Sequence, residues 1–173
     1  MREIPVWFER QFTFAFLADI YPTLIVRLRG TPARLEEMVR DLVPEQLTHR
    51  FDAKWSIQEN AGHLLDLEPL WSARVDDFLA GAETLSAADL TNRKTHEARH
   101  NERTLEGILG GFRAARQALV ERLDSRPKAD FARVSRHPRL KTPMRLVDHL
   151  YFVAEHDDHH LARIWQLRRR PRR

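Results

Sequence analysis

The sequence predicts an all-α protein in which four long helices form a bundle. Two observations support this fold class. Apolar residues recur at intervals of three and four through most of the chain, which is the period of an amphipathic helix, whereas the alternating β-branched pattern typical of strands is scarce. Glycine is also rare, with six among 173 residues, and the chain is long enough to bury a core of its own.

The predicted bundle is flanked by two shorter parts. Residues 1–20, which contain much of an aromatic-rich stretch, are expected to form a helical extension that packs across the bundle. Residues 21–167 are assigned to the bundle itself, and residues 168–173 to an arginine-rich tail. No internal repeat or low-complexity segment is evident apart from this tail.

The first bundle helix is predicted from an apolar seam. From Leu24 to Leu42 the seam follows alternating steps of four and three residues, which is the spacing of a helix packed in a bundle. Gly30 and Pro32 interrupt this stretch, and proline lacks the backbone N–H that a helix interior needs. We therefore expect either a kink or two abutting helices at this point.

The second helix has the clearest boundaries. Ser56 and Glu59 have the spacing of a capping box, in which each side chain accepts a hydrogen bond from the backbone N–H of the other residue. This signature predicts a helix that begins at Ser56, runs to about Leu79 and ends near Gly81.

Two further helices follow after longer connections. A polar stretch over 82–101 is predicted to lead into a third helix at about 102–123, and 124–142, which contains prolines and basic residues, is predicted to be a loop. Pro143 then suits the first position of a fourth helix that reaches about Leu167.

The composition excludes several kinds of chemistry. The chain contains no cysteine, which excludes disulfides, thiolate metal ligands and a cysteine nucleophile, so any thiol would have to come from a cosubstrate. The N-terminus is charged where a signal peptide would be apolar, and no run approaches the ~18 apolar residues of a membrane span. We therefore predict a cytoplasmic protein that has no membrane partner.

The positive charge is concentrated at one end of the chain. The formal net charge is +4, but RRRPRR at 168–173 supplies five of the 29 basic residues, so the rest of the chain, with 25 acidic residues, is close to neutral. Arginines there also suit the negative end of the last helix dipole. The tail is therefore interpreted as a solvated helix end, and no nucleic-acid partner is predicted.

A histidine pair in the fourth helix is the first candidate site. In AEHDDHHLARI, His156 and His160 are four residues apart and lie on one helix face. An apolar stripe lies close to this face, so the two imidazoles are expected to point partly into the bundle, where such a pair suits a divalent metal. His159 is rotated away from the pair. Asp157 and Asp158 are expected at the surface or facing a dimer partner.

A second motif competes with this pair. His96, Glu97 and His100 in HEARH match the HExxH pattern of zinc proteases. The helix of such a site carries apolar residues around its ligands, yet polar residues precede and follow this motif. We therefore interpret the stretch as a polar loop that leads into a helix, and a zinc protease is the less favoured alternative.

His63 is the candidate third ligand. It lies in ENAGHLLDLEPLW on the predicted second helix, on the same face as Leu67 and Leu70, where leucine would pack at a lower polar cost. The small residues Ala61 and Gly62 beside it would allow close approach of another helix. Two ligands from one helix and one from a facing helix would leave a coordination position for water or substrate.

These segments resemble a known family. WSIQENAGHLLDLEPLW, followed by HPRLKTPMRLVDHLYFVAEHDDHHLARI, is similar to the DinB-like (YfiT-like) family of metal-binding four-helix bundles, and the similarity covers most of the chain. That family has a histidine on its second helix after a Trp-Ser start and an HxxxH pair on its fourth helix. By this resemblance its three ligands correspond to His63, His156 and His160. Four other histidines match none of them: His96, His100, His149 and His159.

The resemblance also implies a class of function. It implies an up-down bundle that holds one divalent ion (nickel, zinc, manganese or iron), that often forms a homodimer, and that acts on a small-molecule substrate. Either hydrolysis or transfer of a low-molecular-weight thiol cosubstrate is implied, and both reactions require the same three ligands. A non-catalytic binding or sensing module, organised by the metal, is the alternative from a different class.

Two carboxylates are candidates for supporting roles. Glu59 lies one turn before His63 on the same face and could act as a general base, although its place in the capping box competes with that role. Asp66, three residues after His63, could orient one of the ligands, and a solvated position is the alternative.

Overall fold

The computed structural model describes residues 4–170, and most of this range is helical. Six α-helices and one short hairpin follow in chain order: α1 (Tyr21–Val39), α2 (Pro44–Thr48), α3 (Ile57–Ala80), α4 (Arg93–Glu97), α5 (Leu105–Asp124), β1 (Val134–Arg136), β2 (Pro143–Arg145) and α6 (Leu146–Arg168). The four long helices are α1, α3, α5 and α6. Among residues 4–170 there is no helix long and apolar enough to cross a membrane.

The four long helices do not pack in chain order. Helices α1 and α3 each pack against both α5 and α6. Consequently α1 lies diagonally opposite α3, and α5 lies diagonally opposite α6. The long connections between successive helices make these diagonal crossings possible.

The direction of each helix follows from the residues that meet. The contacting pairs are Arg27–Glu155 and Met38–Arg168 between α1 and α6, Glu68–Arg116 and Asp76–Arg122 between α3 and α5, and Asn60–His160 and Phe78–His149 between α3 and α6. Residue numbers rise together between α1 and α6 and between α3 and α5, so the two helices of each of these pairs are parallel. Between α3 and α6 one number rises as the other falls, so these two helices are antiparallel. The predicted four-helix bundle is confirmed, and its order is up, down, down, up rather than a strict up-down alternation.

Helix α3 begins where the capping box predicts. The Ser56 Oγ accepts the Glu59 N–H at 3.1 Å, and the Glu59 carboxylate accepts the Ser56 N–H at 2.9 Å. At the other end Gly81 adopts φ +70°, the left-handed conformation that terminates helices and that glycine tolerates best. Both predicted boundaries are therefore confirmed.

Helix α1 passes Gly30 and Pro32 without a break. A proline at this position leaves the carbonyl of Leu28 without its usual helical donor. Arg116 on α5 supplies a replacement, since its Nη1 donates to the Leu28 carbonyl at 3.2 Å. The alternative of two abutting helices is therefore wrong, because a neighbouring helix satisfies the group that proline leaves free.

The predicted loop at 124–142 and the predicted start of the last helix both require correction. The loop contains a 3₁₀ helix at Lys128–Ala132 and strand β1, which pairs antiparallel with β2 at Pro143–Arg145. Met144 on β2 is completely buried. The helix then begins at Leu146, because the Asp148 carboxylate accepts the backbone N–H of the preceding arginine at 2.8 Å.

The N-terminal segment is helical only in two single 3₁₀ turns, Trp7–Glu9 and Ala18–Ile20. Between them, Phe12, Phe14 and Phe16 recur at every second residue, which is the period of extended chain rather than of a helix. The rings pack on α6, with Phe12 5.0 Å from Phe152 between ring centroids. The segment thus packs on the bundle as predicted, but mostly as extended chain.

A layer of buried polar side chains crosses the middle of the bundle. Its members divide the apolar core into two clusters and come one from each long helix: Thr31, Glu68, Arg116 and Asp157. The Arg116 guanidinium donates to Glu68 at 2.6 Å and to Asp157 at 2.5 Å, and the Thr31 hydroxyl donates to Asp157 at 2.9 Å. Hydrogen bonds are needed here, because an unpaired buried charge is strongly unfavourable.

The surface position expected for Asp157 is therefore wrong, since this residue has no exposed area. Its neighbour Asp158 is partly exposed and forms ion pairs with Arg27 and Arg34 on α1. Both aspartates thus hold α6 against other helices of the same chain.

Candidate metal centre

Three histidines meet at the interface of α3 and α6. His63 comes from α3, and His156 and His160 come from successive turns of α6. Each offers one ring nitrogen, and these three nitrogens all lie within 4.8 Å of one another. The ring centroids are 4.6 to 5.3 Å apart, and all three side chains are buried. The structure therefore brings together the three residues that the sequence singled out.

The outer nitrogens of two of these rings have hydrogen-bond partners. The His160 Nδ1 lies 2.9 Å from the Asn60 Oδ1, which can only accept, so His160 carries its proton on Nδ1 and has a lone pair on Nε2. The His63 Nδ1 lies 2.9 Å from the Thr95 hydroxyl, which is hydrogen-bonded in turn to Asp66. Partners of this kind fix the orientation and tautomer of metal-binding imidazoles.

Whether the site fits a cation can be judged from the third ring, His156, and from the donor set as a whole. The Nδ1 of His156 is buried and has no hydrogen-bond partner among residues 4–170. The ring is held between Trp7 and Trp71, whose centroids lie 5.1 and 5.5 Å away. Three imidazoles without a neighbouring carboxylate ligand form a donor set that suits zinc, nickel or iron.

The electrostatic environment keeps the three rings neutral. Burial lowers the pKa of His63 to about 4; the Asp66 carboxylate acts in the opposite direction, and the charges of other histidines lower the pKa further. Burial, followed by the charges of the neighbouring histidines, places the pKa of His156 and of His160 well below the ordinary value. At neutral pH each ring therefore offers a lone pair, as metal binding requires.

Asp66 lies behind His63 rather than in the solvent. Its carboxylate accepts from Thr95 and lies 2.8 Å from the Nε2 of His100. Burial alone would raise the pKa of Asp66, but the hydrogen bonds from His100 and Thr95 hold it below the ordinary value. The carboxylate thus connects to His63 through one hydroxyl group, and the orienting role of Asp66 stays a prediction.

Glu59 has other partners than the three histidines. Besides the Ser56 N–H, its carboxylate accepts from the Arg50 guanidinium through both oxygens. Burial would raise its pKa, yet the Arg50 and Ser56 hydrogen bonds lower it overall. A carboxylate held in this way is a weak proton acceptor. We therefore assign Glu59 a capping role and no part as a general base.

The two histidines of the HEARH motif are held apart by the backbone. Helix α4 ends at Glu97, and Arg99 adopts φ +46°, so no helix places His96 above His100. His96 is exposed, whereas His100 is fully buried beside Asp66. This geometry does not fit the ligand helix of a zinc protease.

Two other histidines on α6 lie outside the cluster. His149 is buried against Trp71 and Phe78, and neither of its ring nitrogens has a partner in the part of the chain that the structure describes. His159 is half-buried beside Trp7, 5.8 Å away between ring centroids.

Several supporting residues were not predicted from the sequence. Asn60 contacts His160, Thr95 contacts His63, and His100 contacts Asp66. Thr95 and His100 lie in the stretch that is interpreted from the sequence as a polar connection. The signal in the sequence was Gly62 itself, and in the structure a Cβ at this position would lie only 2.2 Å from the His100 ring. The glycine that suggested close approach of a helix thus accommodates a histidine from the connection.

The cluster opens into a cavity of about 390 Å³. All three histidines line it, and much of the wall is aromatic, with Trp7, Phe8, Trp71 and Phe152. Arg74, His137 and Arg139 line it as well. Small-molecule sites are typically concave, largely apolar and supplied with a few converging polar groups.

The fold and the buried histidine cluster define a class of four-helix bundle with a candidate metal centre. Residues 27–164 match the family profile of the DinB superfamily, which covers most of the chain. The chain belongs to this superfamily. The resemblance inferred from the second and fourth helices is thereby confirmed.

A solved structure supports the same fold. YfiT from Bacillus subtilis, described as a probable metal-dependent hydrolase with an unusual four-helix bundle topology, superposes with a TM-score of 0.78. The two chains share 21% sequence identity, and the match covers 92% of this chain and 91% of YfiT. At this identity the likeness concerns the fold. No curated protein matches the sequence.

Proposed function

We propose that the protein is a metal-dependent hydrolase that binds one divalent ion through His63, His156 and His160. The observation that carries the proposal is the convergence of these three nitrogens within 4.8 Å on the wall of a cavity. The description of YfiT as a probable metal-dependent hydrolase supports the same reaction class. Zinc, nickel, manganese and iron are the candidate ions. Imidazole ligands favour zinc, nickel and iron over manganese.

The chemistry of the site follows from the charge of its ligands. When bound by three neutral imidazoles, a divalent ion keeps its positive charge and can acidify a water molecule or polarise a carbonyl group. Asn60 and Thr95 hold two of the rings in the orientation that directs Nε2 toward the shared point. Trp7 and Trp71 exclude solvent from the third ring, which strengthens electrostatic interactions there.

Of two alternatives, the shape of the site bears on one, and a cosubstrate requirement would identify the other. A non-catalytic module needs only a sealed ion, whereas these histidines line a cavity large enough for a small molecule, which favours catalysis. Transfer of a thiol cosubstrate would use the same ligands, and a requirement for added thiol would identify it. The cytoplasmic location and the homodimer stay predictions.

Metal content and hydrolysis together test the proposal. Protein purified without an affinity tag and reconstituted with zinc or nickel should hold about one equivalent of metal, as three histidine ligands require. His160→Ala should abolish binding, and the exposed His96→Ala is the matched control that should retain it. Hydrolysis of 4-nitrophenyl acetate should rise on metal loading without a thiol. Less than about a tenth of an equivalent in the reconstituted wild type would overturn the metal site.

A further inference from the structure

We propose that Arg74, His137 and Arg139 form a binding site for the anionic oxygen group of an organic ligand, in the cavity that the three histidines also line. The apolar part of the ligand would lie along the aromatic walls. The anion site stands on its own geometry, whereas the identification of this ligand as the substrate rests on the proposed hydrolase function.

Arg74 is a buried cation that makes no direct ion pair among the described residues, although the charge of Asp77, one turn further along α3, acts on it. The residue is 2% exposed, and its hydrogen bonds within residues 4–170 go to a backbone carbonyl and a histidine ring rather than to a carboxylate. The Nε donates to the Ser86 carbonyl at 2.9 Å, and the guanidinium stacks on Trp71 at 5.5 Å. Burial lowers the pKa of Arg74 to about 10, so the group is still charged at neutral pH. A charge of this kind is costly to bury unless an anion pairs with it.

The tautomer of His137 places a second donor against Arg74. The His137 Nδ1 accepts the backbone N–H groups of Arg139 and Leu140 at 3.2 and 3.1 Å, so the neutral ring carries its proton on Nε2. Burial and the nearby arginines lower the pKa of His137 to about 3, which excludes the doubly protonated form at neutral pH. The Nε2 lies 3.3 Å from the Arg74 Nη1. Two N–H donors thus face each other, and an anionic oxygen would accept from both.

Arg139 adds a third donor to the same cavity. Its Nη2 is buried and has no hydrogen-bond partner in the described part of the chain, and the Nη1 makes only a long contact of 3.4 Å with the Phe8 carbonyl. The guanidinium lies against the Phe8 and Phe152 rings, at 5.5 and 5.8 Å. Guanidinium groups with free N–H donors in an apolar wall are well suited to bind carboxylate or phosphate.

No acidic side chain lining the cavity, within residues 4–170, neutralises these arginines. Asp89 is the carboxylate that lines it, and its oxygens accept from Thr91 and from the Arg93 N–H. Lys141 on the rim adds a further positive charge. The cavity therefore has an excess of cationic donors over available acceptors, which favours an anionic ligand.

The aromatic walls determine the shape of the ligand. Trp71 contacts Arg74 at one side and His156 at the other, each at 5.5 Å, so one indole spans the space between the anion site and the metal centre. Phe152 lies 5.0 Å from His137 and 5.2 Å from Trp7, and forms a second wall. A ligand that reaches both the anion site and the metal centre has an anionic group separated from its reacting group by about one aromatic ring or a short apolar chain.

Binding of simple probes to the metal-free protein tests the anion site. Phenylacetate and phenyl phosphate, titrated by calorimetry, should bind at least about tenfold more tightly than the neutral phenylacetamide. Whichever anion binds more tightly identifies the group as carboxylate or phosphate. Arg139→Gln should weaken binding of that anion about tenfold, and the exposed Arg136→Gln, in the same hairpin, is the matched control that should not.

The outcomes separate this proposal from the proposed function. Equal affinity for phenylacetate and phenylacetamide, or equal affinity of Arg139→Gln and Arg136→Gln for the anion, would overturn the anion site. Arg139→Gln should keep the metal content of the wild type, because it does not contact the three histidines. If the wild type binds the anions but takes up no metal, the anion site stands and the hydrolase proposal falls.

Discussion

Replacing Arg116 with methionine removes the guanidinium that links α5 to the other three long helices. Six hydrogen bonds are lost, five of them to the Glu68 and Asp157 carboxylates and one to the Leu28 carbonyl. Methionine matches the length of the aliphatic stem, so the change is mainly one of charge and hydrogen bonding. Two buried carboxylates are then left with no counter-charge between them.

The expected loss can be estimated from the groups left behind. Removing one partner of a buried ion pair costs about 3–5 kcal/mol, and an unpaired buried carbonyl adds about 1–3 kcal/mol. Proton uptake limits the total, because burial already raises the pKa of Glu68 against the opposing charge of Arg116. We therefore expect the free energy of unfolding to fall by about 4 kcal/mol at neutral pH.

Urea denaturation of the metal-free protein measures this loss, and Arg113→Met on the same helix is the control. Arg113 forms an exposed bidentate pair with Glu36, which contributes at most about 1 kcal/mol. Adding Glu68→Gln and Asp157→Asn to Arg116→Met should recover part of the loss. If Arg116→Met and Arg113→Met lose the same small amount, the buried network does not have the energetic role described here.

Three further predictions concern the surroundings of the metal centre. Burial keeps the pKa of His149 in the folded protein far below the unfolded value of about 6.5. His149 therefore binds a proton only in the unfolded chain, and a fall in pH favours unfolding. Between about pH 7.5 and 5.5 the metal-free wild type should lose about 1.4 kcal/mol more free energy of unfolding than His149→Leu. Gly62→Ala should cost about 2 kcal/mol in urea denaturation, since a Cβ would lie 2.2 Å from the His100 ring. Asn60→Ala should weaken metal binding about 10- to 100-fold in a chelator competition titration, because His160 loses the acceptor that orients it.

Each of these predictions has an outcome that contradicts it. The same pH dependence in the wild type and His149→Leu would show that His149 takes up a proton in the folded state. An unchanged stability of Gly62→Ala would show that the His100 ring does not need the space beside the glycine. Wild-type metal affinity in Asn60→Ala would show that another group orients His160.

The sequence predicted what depends on neighbours along the chain. The start of α3 is encoded by Ser56 and Glu59, which are three residues apart and cap the helix by themselves. The pairing of His156 with His160 follows in the same way from the helical repeat. His63 is predicted because a histidine on an apolar helix face needs a polar partner, whereas a leucine at the same place would need none.

What the sequence could not predict depends on distant partners. Asp157 sits in a charged run typical of a surface, and only the position of Arg116, on a helix diagonally opposite, explains its burial. Thr95 contacts His63, and His100 contacts Asp66, across 32 and 34 residues of sequence. The order of helix directions also lay beyond the sequence, because long connections permit either direction for the next helix.

The convergence of three imidazoles on one cation is tested most directly by a crystal structure of the zinc- or nickel-loaded protein, with anomalous scattering recorded at the metal edge. The predicted result is one peak about 2.0–2.2 Å from a nitrogen of each of His63, His156 and His160, with Nε2 as the ligand atom of His63 and His160. A peak beside His96 or His100, or none at the three histidines in fully loaded protein, would contradict it.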